Sequence, residues 1–473
     1  MAHMEDDQSS PESSATDEAT VCSEDSVGLG FYHVACKLVP DVILVASHES
    51  VQAFLLLATY ALPVSTGGLS YTYFGLAMKM AIQNGMHRKY VGGNCDSRTI
   101  ELRNRLFWTT YTLEKYFQLP SSILSYANLG IRRTSIMHGR PSSIARSEIS
   151  ADLPIDDSTF ESPNFANMTA LINLVSWMGE VAETLYVKLS RWKSQQSDNG
   201  KIRAQFKRCP KRLLPEYSKR LLQLRARIKA WWCSLPDAIE CRDTNPRRSL
   251  FRQNSHLRLC YLLIYIYMGR PFIFRSTGGD GPDQQHRSEL VKDCVDSALE
   301  ILSTLKSLAD NRGLCRASYT EFSSCRAALL VILAECLNSG KSQRLQDGLN
   351  SGMALIRQMI GGTSSESEIS YIESIEAAIR QLLSNEERNS ASKTNSPVAA
   401  SAYAKFKDWT QSMKKDKNAG NILELSSFSP MSGFTPGTEN MFGSELNELS
   451  DLLNPEWSTC DLRLDSDDFL APR

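Results

Sequence analysis

The sequence predicts an all-α protein: a multi-helix bundle of packed helical hairpins with disordered N- and C-terminal tails. Three observations carry this. Apolar residues recur at three- and four-residue spacing in segment after segment, with no strand-like alternation. The polar breaks between those segments are short. Of the 473 residues, 42% are hydrophobic, enough for a sizeable core. A formal net charge of −1 argues against a chain that coats nucleic acid. Twelve cysteines are scattered, many within apolar runs such as those around Cys260, Cys325 and Cys336, which suits reduced thiols rather than a disulfide framework.

Taken in order, residues 1–26 are acidic, Ser-rich and expected to be disordered, and they read as neither a secretory signal nor a transit peptide. Folded structure is expected over 27–384. Ser50–Leu62 reads as a helix capped by Ser50, stopped by Pro63 and apolar almost all round, hence buried. A loop with Gly67 and Gly68 returns the chain to an antiparallel helix, Tyr71–Asn84, capped by Ser70. Gly85 suits the left-handed position that closes it. The next helix, Ile100–Glu114, has Ile100, Phe107 and Tyr111 on one side and Leu102, Leu106 and Leu113, then Phe117, nearly opposite. Two stripes predict a helix buried on two faces. Gly139 and Pro141 then force a reversal.

These residues carry a family resemblance. An aromatic-Gly-x-Ala helix ends in Gly-hydrophobic-His-Arg: Phe74-Gly75-Leu76-Ala77, then Gly85-Met86-His87-Arg88. An Arg-x-Arg-Leu-aromatic-Trp helix follows: Arg103, Arg105, Leu106, Phe107, Trp108. Next come a Gly-Arg-Pro turn, Gly139-Arg140-Pro141, and a Leu-Pro pair, Leu153-Pro154. In this order they resemble the middle homology region, or fungal-specific transcription factor domain, of fungal zinc-binuclear-cluster transcription factors. The resemblance covers about residues 48 to 155 and weakens towards 340, and the region upstream reads as missing or shortened. It implies a helical regulatory domain, nuclear location, control of RNA polymerase II transcription, coactivators as partners, and a homodimer or paralogue contact. It also implies zinc and DNA binding, through an N-terminal module needing paired Cys-x2-Cys clips. These 473 residues contain no Cys-x2-Cys, so that module is read as absent and no cofactor is expected here.

Phe117–Gly130 departs from the family pattern, in which the helix leads almost directly to the Gly-Arg-Pro turn. It reads either as an insertion, of the kind a retained intron leaves, or as a longer surface loop. Beyond it, Met168–Leu189 reads as a helix. Residues 201–229 hold eleven Lys and Arg against one acid, Glu216. The favoured reading is a solvated helix face, because Leu221, Leu224, Ile228, Trp231 and Leu235 alternate with the later cations as a core stripe. A nuclear-import signal at Lys207, Arg208, Lys211 and Arg212 comes next, and direct DNA contact last. His256 and Cys260 are four apart but lack a second ligand pair, so they read as packed core. Further helices are expected at Val291–Ala309, Tyr319–Asn338, Leu345–Ile360 and Ile369–Ser384. The most apolar run, Leu259–Met268, falls short of the roughly 20 residues a bilayer needs, so no membrane span is expected.

Residues 385–443 read as a flexible linker and 444–473 as an acidic-hydrophobic tail. Its bulky residues, Leu449, Leu452, Leu453, Trp457, Phe469 and Leu470, lie among acids, a composition suited to docking in a coactivator groove as a short helix. The bland reading is an ordinary acidic tail. No metal-acid pair, nucleophile motif or phosphate loop supports an enzyme. The sequence therefore points to the regulatory and activation portion of a fungal transcription factor. The alternative is a cofactor-free helical interaction protein that modulates a full-length paralogue.

Overall fold

Helices supply all the regular structure among the described residues, and no strand occurs there. The computed structural model describes residues 24–62, 69–125, 143–155, 165–196, 214–235, 246–247, 249–275, 282–315, 318–339, 342–359 and scattered positions from 369 to 380. The chain forms two compact units, Met1–Val45 and Ala46–Arg473. In the first, α1 (Glu24–Lys37) and α2 (Val39–Val45) meet at a 53° bend. No residue of α2 is buried, and Phe31 and Leu44 are 74% and 82% exposed. Among the described residues no single helix is long and apolar enough to cross a membrane. Gly28–Lys37 and Val39–Val45 together reach that composition only across their bend.

The second unit begins with a three-helix group: α3 (His48–Ala61), α4 (Leu69–Gln83) and α5 (Ser97–Ser125). Val51, Phe54 and Ala58 of α3 and Phe74, Ala77 and Met78 of α4 are buried, and α4 packs in turn on α5. The start of α3 differs from expectation. Ser47, not Ser50, is the N-cap, since its backbone is extended and its hydroxyl accepts from the Ser50 amide at 3.4 Å. The Ser50 hydroxyl accepts from the Ser47 amide at 3.1 Å, a reciprocal capping box. Nor is α3 buried all round: Leu56 is 72% exposed, so one face meets solvent. Ser70 is a buried first-turn residue of α4, which starts at Leu69, while 63–68 lie outside the described residues.

Helix α5 also departs from expectation in two ways. Leu102 is 39% exposed, Leu106 is buried and Leu113 is half-buried, so the second apolar stripe is only partly covered. And the backbone stays helical to Ser125, through Pro120, where a loop was one of the two expected forms for 117–130. Pro120 donates no amide, so one rung is lost, but the helix does not end there. Residues 126–130 lie outside the described residues.

The larger core is built by α6 (Phe165–Gln196), α7 (Leu214–Cys233), α8 (Phe251–Gly269), α9 (Pro282–Arg312), α10 (Tyr319–Ser339) and α11 (Gln343–Arg357). Helix α8 runs through its middle and packs on α6, α9 and α10. Its fourteen buried residues occupy every side, which explains a run too apolar for a surface helix and too short for a bilayer. Helix α7 contributes Leu221, Leu224 and Ile228 as expected. Trp232 completes the stripe, one turn on from Ile228, whereas Trp231 and Leu235 sit half-buried at its edge. Of the helix expected at 369–384, the described positions Ile369, Ser370, Ile372, Glu373, Glu376, Ala377 and Arg380 are helical.

Two close approaches need glycine. A Cβ on Gly269 would stand 2.1 Å from the Leu290 carbonyl oxygen of α9, so α8 and α9 touch backbone to backbone there. A Cβ on Gly352 would meet Leu329 and Leu302 at 2.7 and 3.1 Å. Gly75 is different, for a Cβ there meets nothing within 4 Å. Gly269→Ala is therefore expected to destabilise the protein by about 2–3 kcal/mol, through the overpacking this contact forces. Gly75→Ala should stabilise by about 0.5–1 kcal/mol, because alanine loses less backbone freedom in a helix. Urea unfolding midpoints of the two variants, moving in opposite directions, check both.

Candidate functional site

The motif residues of the first half converge on the junction of α4, α5 and the segment 143–155. Helix α4 ends in a two-bond left-handed cap: Met86 N–H donates to the Ala81 carbonyl and Gly85 N–H to that of Ile82, each at 2.9 Å. Gly85 has φ +64°, where glycine is unstrained, and Met86 is fully buried behind it. Arg103 of α5 reaches across to donate to the Gly85 carbonyl and lies over the Tyr90 ring at 5.5 Å. That carbonyl also takes the Arg88 amide at 3.1 Å, so the guanidinium adds a second donor and opposes the negative dipole of the helix C-terminus.

A second grip lies on nearly the opposite side of α5, on residues at helical spacing. Glu101 is 3% exposed, and its Oε1 accepts from Arg105 Nε at 2.6 Å and from the Ile155 amide at 3.1 Å. Arg105 Nη2 donates to the Ile155 carbonyl at 2.8 Å, and Trp108 Nε1 to the Asp152 carbonyl at 2.8 Å. The His87 carbonyl takes amides from Ser150 and Ala151 at 2.9 and 3.1 Å, and Lys89 pairs with Asp152 at 3.1 Å. Arg146 covers the Trp108 ring at 4.9 Å. Leu106, Phe107 and Pro154 are buried in this junction, whereas Leu153 and Arg88 are exposed. Gly139, Arg140 and Pro141 lie outside the described residues.

Glu101 as the centre of this grip was not legible in the residues alone. The available signal was a carboxylate four residues before Arg105, which reads equally well as a solvated surface pair. A second knot was missed too. Glu321 is wholly buried and takes Arg252 at 2.7 Å, His256 at 2.8 Å and the Cys315 amide at 2.9 Å. His256 is thus a hydrogen-bond partner of Glu321 at a part-exposed site, not the packed core residue expected. Cys260 is core, as expected.

The later cations of the basic run behave as a solvated face. Lys219, Arg220 and Lys229 are exposed. Arg225 pairs with Glu289 at 3.5 Å and with Asp293. Arg227 pairs with Glu180 at 2.6 Å and covers Trp177 at 4.9 Å. Lys207, Arg208, Lys211 and Arg212 lie outside the described residues, as do Leu449, Leu452, Leu453, Trp457, Phe469 and Leu470.

Nothing in these arrangements suits a zinc cluster. Cys260 lies on α8, Cys294 on α9, and Cys325 and Cys336 three turns apart on α10, and burial pushes their thiols up, Cys260 to about 12 and Cys336 to about 11. Among the described residues no three His, Cys, Asp or Glu side chains converge as metal ligands. The described residues do not fit that metal, and no step is ascribed to it.

Two measurements probe the junction. Arg105→Ala is expected to destabilise by about 2–3 kcal/mol, because it leaves the Glu101 carboxylate buried without its cation. Faster hydrogen exchange at the Ile155 amide would place that loss at the grip. Burial, then the charges of Arg88 and Arg103, hold the His87 imidazole below its ordinary range, against a smaller pull from Glu148. The unfolded chain therefore takes up this proton first as pH falls. The contribution is intact above about pH 6.5 and is lost as pH drops below it towards the folded value. His87→Gln should flatten the pH dependence of thermal stability in that window.

Comparison with known proteins adds to this picture. Residues 2–120 match the family described as "Fungal specific transcription factor domain". The match reaches further towards the N-terminus than the motif-bearing stretch from residue 48 and ends before the Gly139-Arg140-Pro141 turn. An uncharacterized transcriptional regulatory protein of Schizosaccharomyces pombe is 28% identical over 317 residues, covering 66% of this chain and 35% of that protein. "Thiamine repressible genes regulatory protein thi1" of the same yeast is 23% identical over 407 residues, 84% of this chain and 46% of its own length. "Activator of stress genes 1" of Saccharomyces cerevisiae is 26% identical over 243 residues, 51% and 23% respectively. The chain thus spans less than half the length of these relatives, and no solved structure matches it.

Proposed function

We propose that this chain, which carries a fungal specific transcription factor domain, is the regulatory and activation portion of a fungal transcription regulator acting in the nucleus. The observation that carries the reading is the family match over residues 2–120, with relatives named as transcriptional regulators and activators. The arrangement of side chains supports a scaffold rather than a reaction centre. The most elaborate polar cluster, around Glu101, Arg105 and Trp108, spends its donors and acceptors on backbone groups of the same chain. We ascribe no catalysis to it.

In this reading the helical body receives signals and contacts a second regulator, a homodimer partner or a paralogue. The tail from 444 to 473 docks on transcription coactivators through Leu449, Leu452, Leu453, Trp457, Phe469 and Leu470. Its acids keep those apolar groups in water until a groove takes them. DNA contact belongs to the family's zinc module, and the import role to Lys207, Arg208, Lys211 and Arg212.

Residues 440–473 fused to an unrelated DNA-binding domain should activate a reporter well above the domain alone. Alanine at the six apolar positions should abolish it. Silence of the unsubstituted fusion would reject the activation role and favour a helical protein that works by occupying a paralogue's partners.

A further inference from the structure

We propose that α1 and α2 are the self-association surface of this chain. The apolar residues from Leu29 to Val45 pack against the same residues of a second copy, about a two-fold axis at the bend between the two helices. The contact rests on the reading above, that the chain acts with a second regulator, and makes that regulator a second copy.

Residues 28–45 have the composition of a core and the surroundings of a surface. Twelve of the eighteen are apolar, and only Lys37 and Asp41 carry a full charge. None of them is buried, and seven large apolar residues from Leu29 to Val45 are between 42% and 82% exposed. Helicity calls for a partner as well. A helix of fourteen residues is marginal alone in water, and Gly28 and Gly30 each cost α1 about 1 kcal/mol relative to alanine.

The exposed area fits a second copy. With ordinary residue areas of about 150–220 Å², those seven residues offer roughly 700 Å² per chain. That exceeds the roughly 300–600 Å² of the largest apolar patch on a typical monomer. It is close to the about 800 Å² that each partner gives to a standard stable interface.

The charges fit it too. In a two-fold contact, residue i meets j and j meets i. Lys37 ends α1 and Asp41 lies in the first turn of α2, and neither has an ion-pair partner among the described residues. An axis between them sets each Lys37 beside the partner's Asp41, so one interface gains two ion pairs. The same register puts Val34 opposite the partner's Leu44. Val34 belongs to the stripe that Phe31, Val34 and Leu38 form on α1 at spacings of three and four. A lipid surface suits the segment less well. Helices that lie on a bilayer carry Lys and Arg along their polar face, and here one cation stands beside one acid.

The test is the mass of the full chain in solution, by sedimentation equilibrium across a range of concentrations. The native chain should be a dimer at micromolar concentration. Phe31→Ser combined with Leu44→Ser should raise the dimer dissociation constant about a hundredfold or more. Both side chains are mainly exposed within one chain, so far-ultraviolet circular dichroism of the helical body should hold. Lys37→Glu and Asp41→Lys should each weaken the dimer about tenfold, and the two together should restore it, which misfolding cannot imitate. A native chain still monomeric at about 100 μM would overturn the proposal, and the homodimer reading with it. A dimer indifferent to all of these substitutions would overturn the surface and leave the homodimer reading standing. Capture of the native chain by phosphatidylcholine–phosphatidylserine vesicles in place of dimerisation, lost in the Phe31→Ser, Leu44→Ser variant, would overturn it in favour of a lipid surface.

Discussion

The fold rests on α5 satisfying backbone that no helix satisfies. Between α4 and α5, and again after Ser143, the chain leaves helical geometry, and its carbonyls and amides need partners wherever they are covered. Arg103 fills the open end of α4, while Glu101, Arg105 and Trp108 take both polar groups of Ile155 and the carbonyl of Asp152. Because the four side chains share one rigid helix, the end of α4 and the 150–155 segment are fixed in relation to each other. Among these groups Glu101 is buried, and leaving its carboxylate without Arg105 costs more than the modest net gain of forming a hydrogen bond.

A different constraint governs the larger core. Helix α8 is enclosed on all sides, so its neighbours must come close, and they do so where side chains are smallest. Gly269 admits the α9 backbone, and Gly348 and Gly352 admit leucines of α9 and α10. Two of the polar clusters trapped in this process are paired. Glu321 binds two cationic or protonatable partners and an amide, and buried Asn167 donates to buried Asn254 at 2.7 Å. The body thus joins two solutions: polar teeth holding loops in the front, and glycine-mediated helix contact behind.

Much of this was legible in the residues. Helical class, the order of helices, the Gly85 cap and the stripe on α7 follow from local periodicity and from single residues with special backbone needs. Boundaries were less legible, because competing serines stood three apart. Either Ser47 or Ser50 could cap α3, and only the extended backbone at Ser47 decides between them. The length of α5 was hidden because Phe117–Gly130 departs from the family pattern and holds Pro120, which lacks the amide of a helix rung, yet the backbone stays helical to Ser125. The grips themselves were illegible for a deeper reason. Glu101 meets Ile155 and Arg252 meets Glu321 across more than fifty residues of chain, and no short-range pattern announces such pairs.

The enclosure of α8 bears on how the protein is made. A ribosome delivers residues in order, at roughly 5–20 per second. Between the appearance of Gly269 and that of Ser339, where α10 ends, about seventy residues must emerge, several seconds or more at that pace. For that interval the helix with buried residues on every side lacks two of the elements that cover it. Nascent chains are then at their most adhesive, and synthesis paused in α9 would strand them in that state.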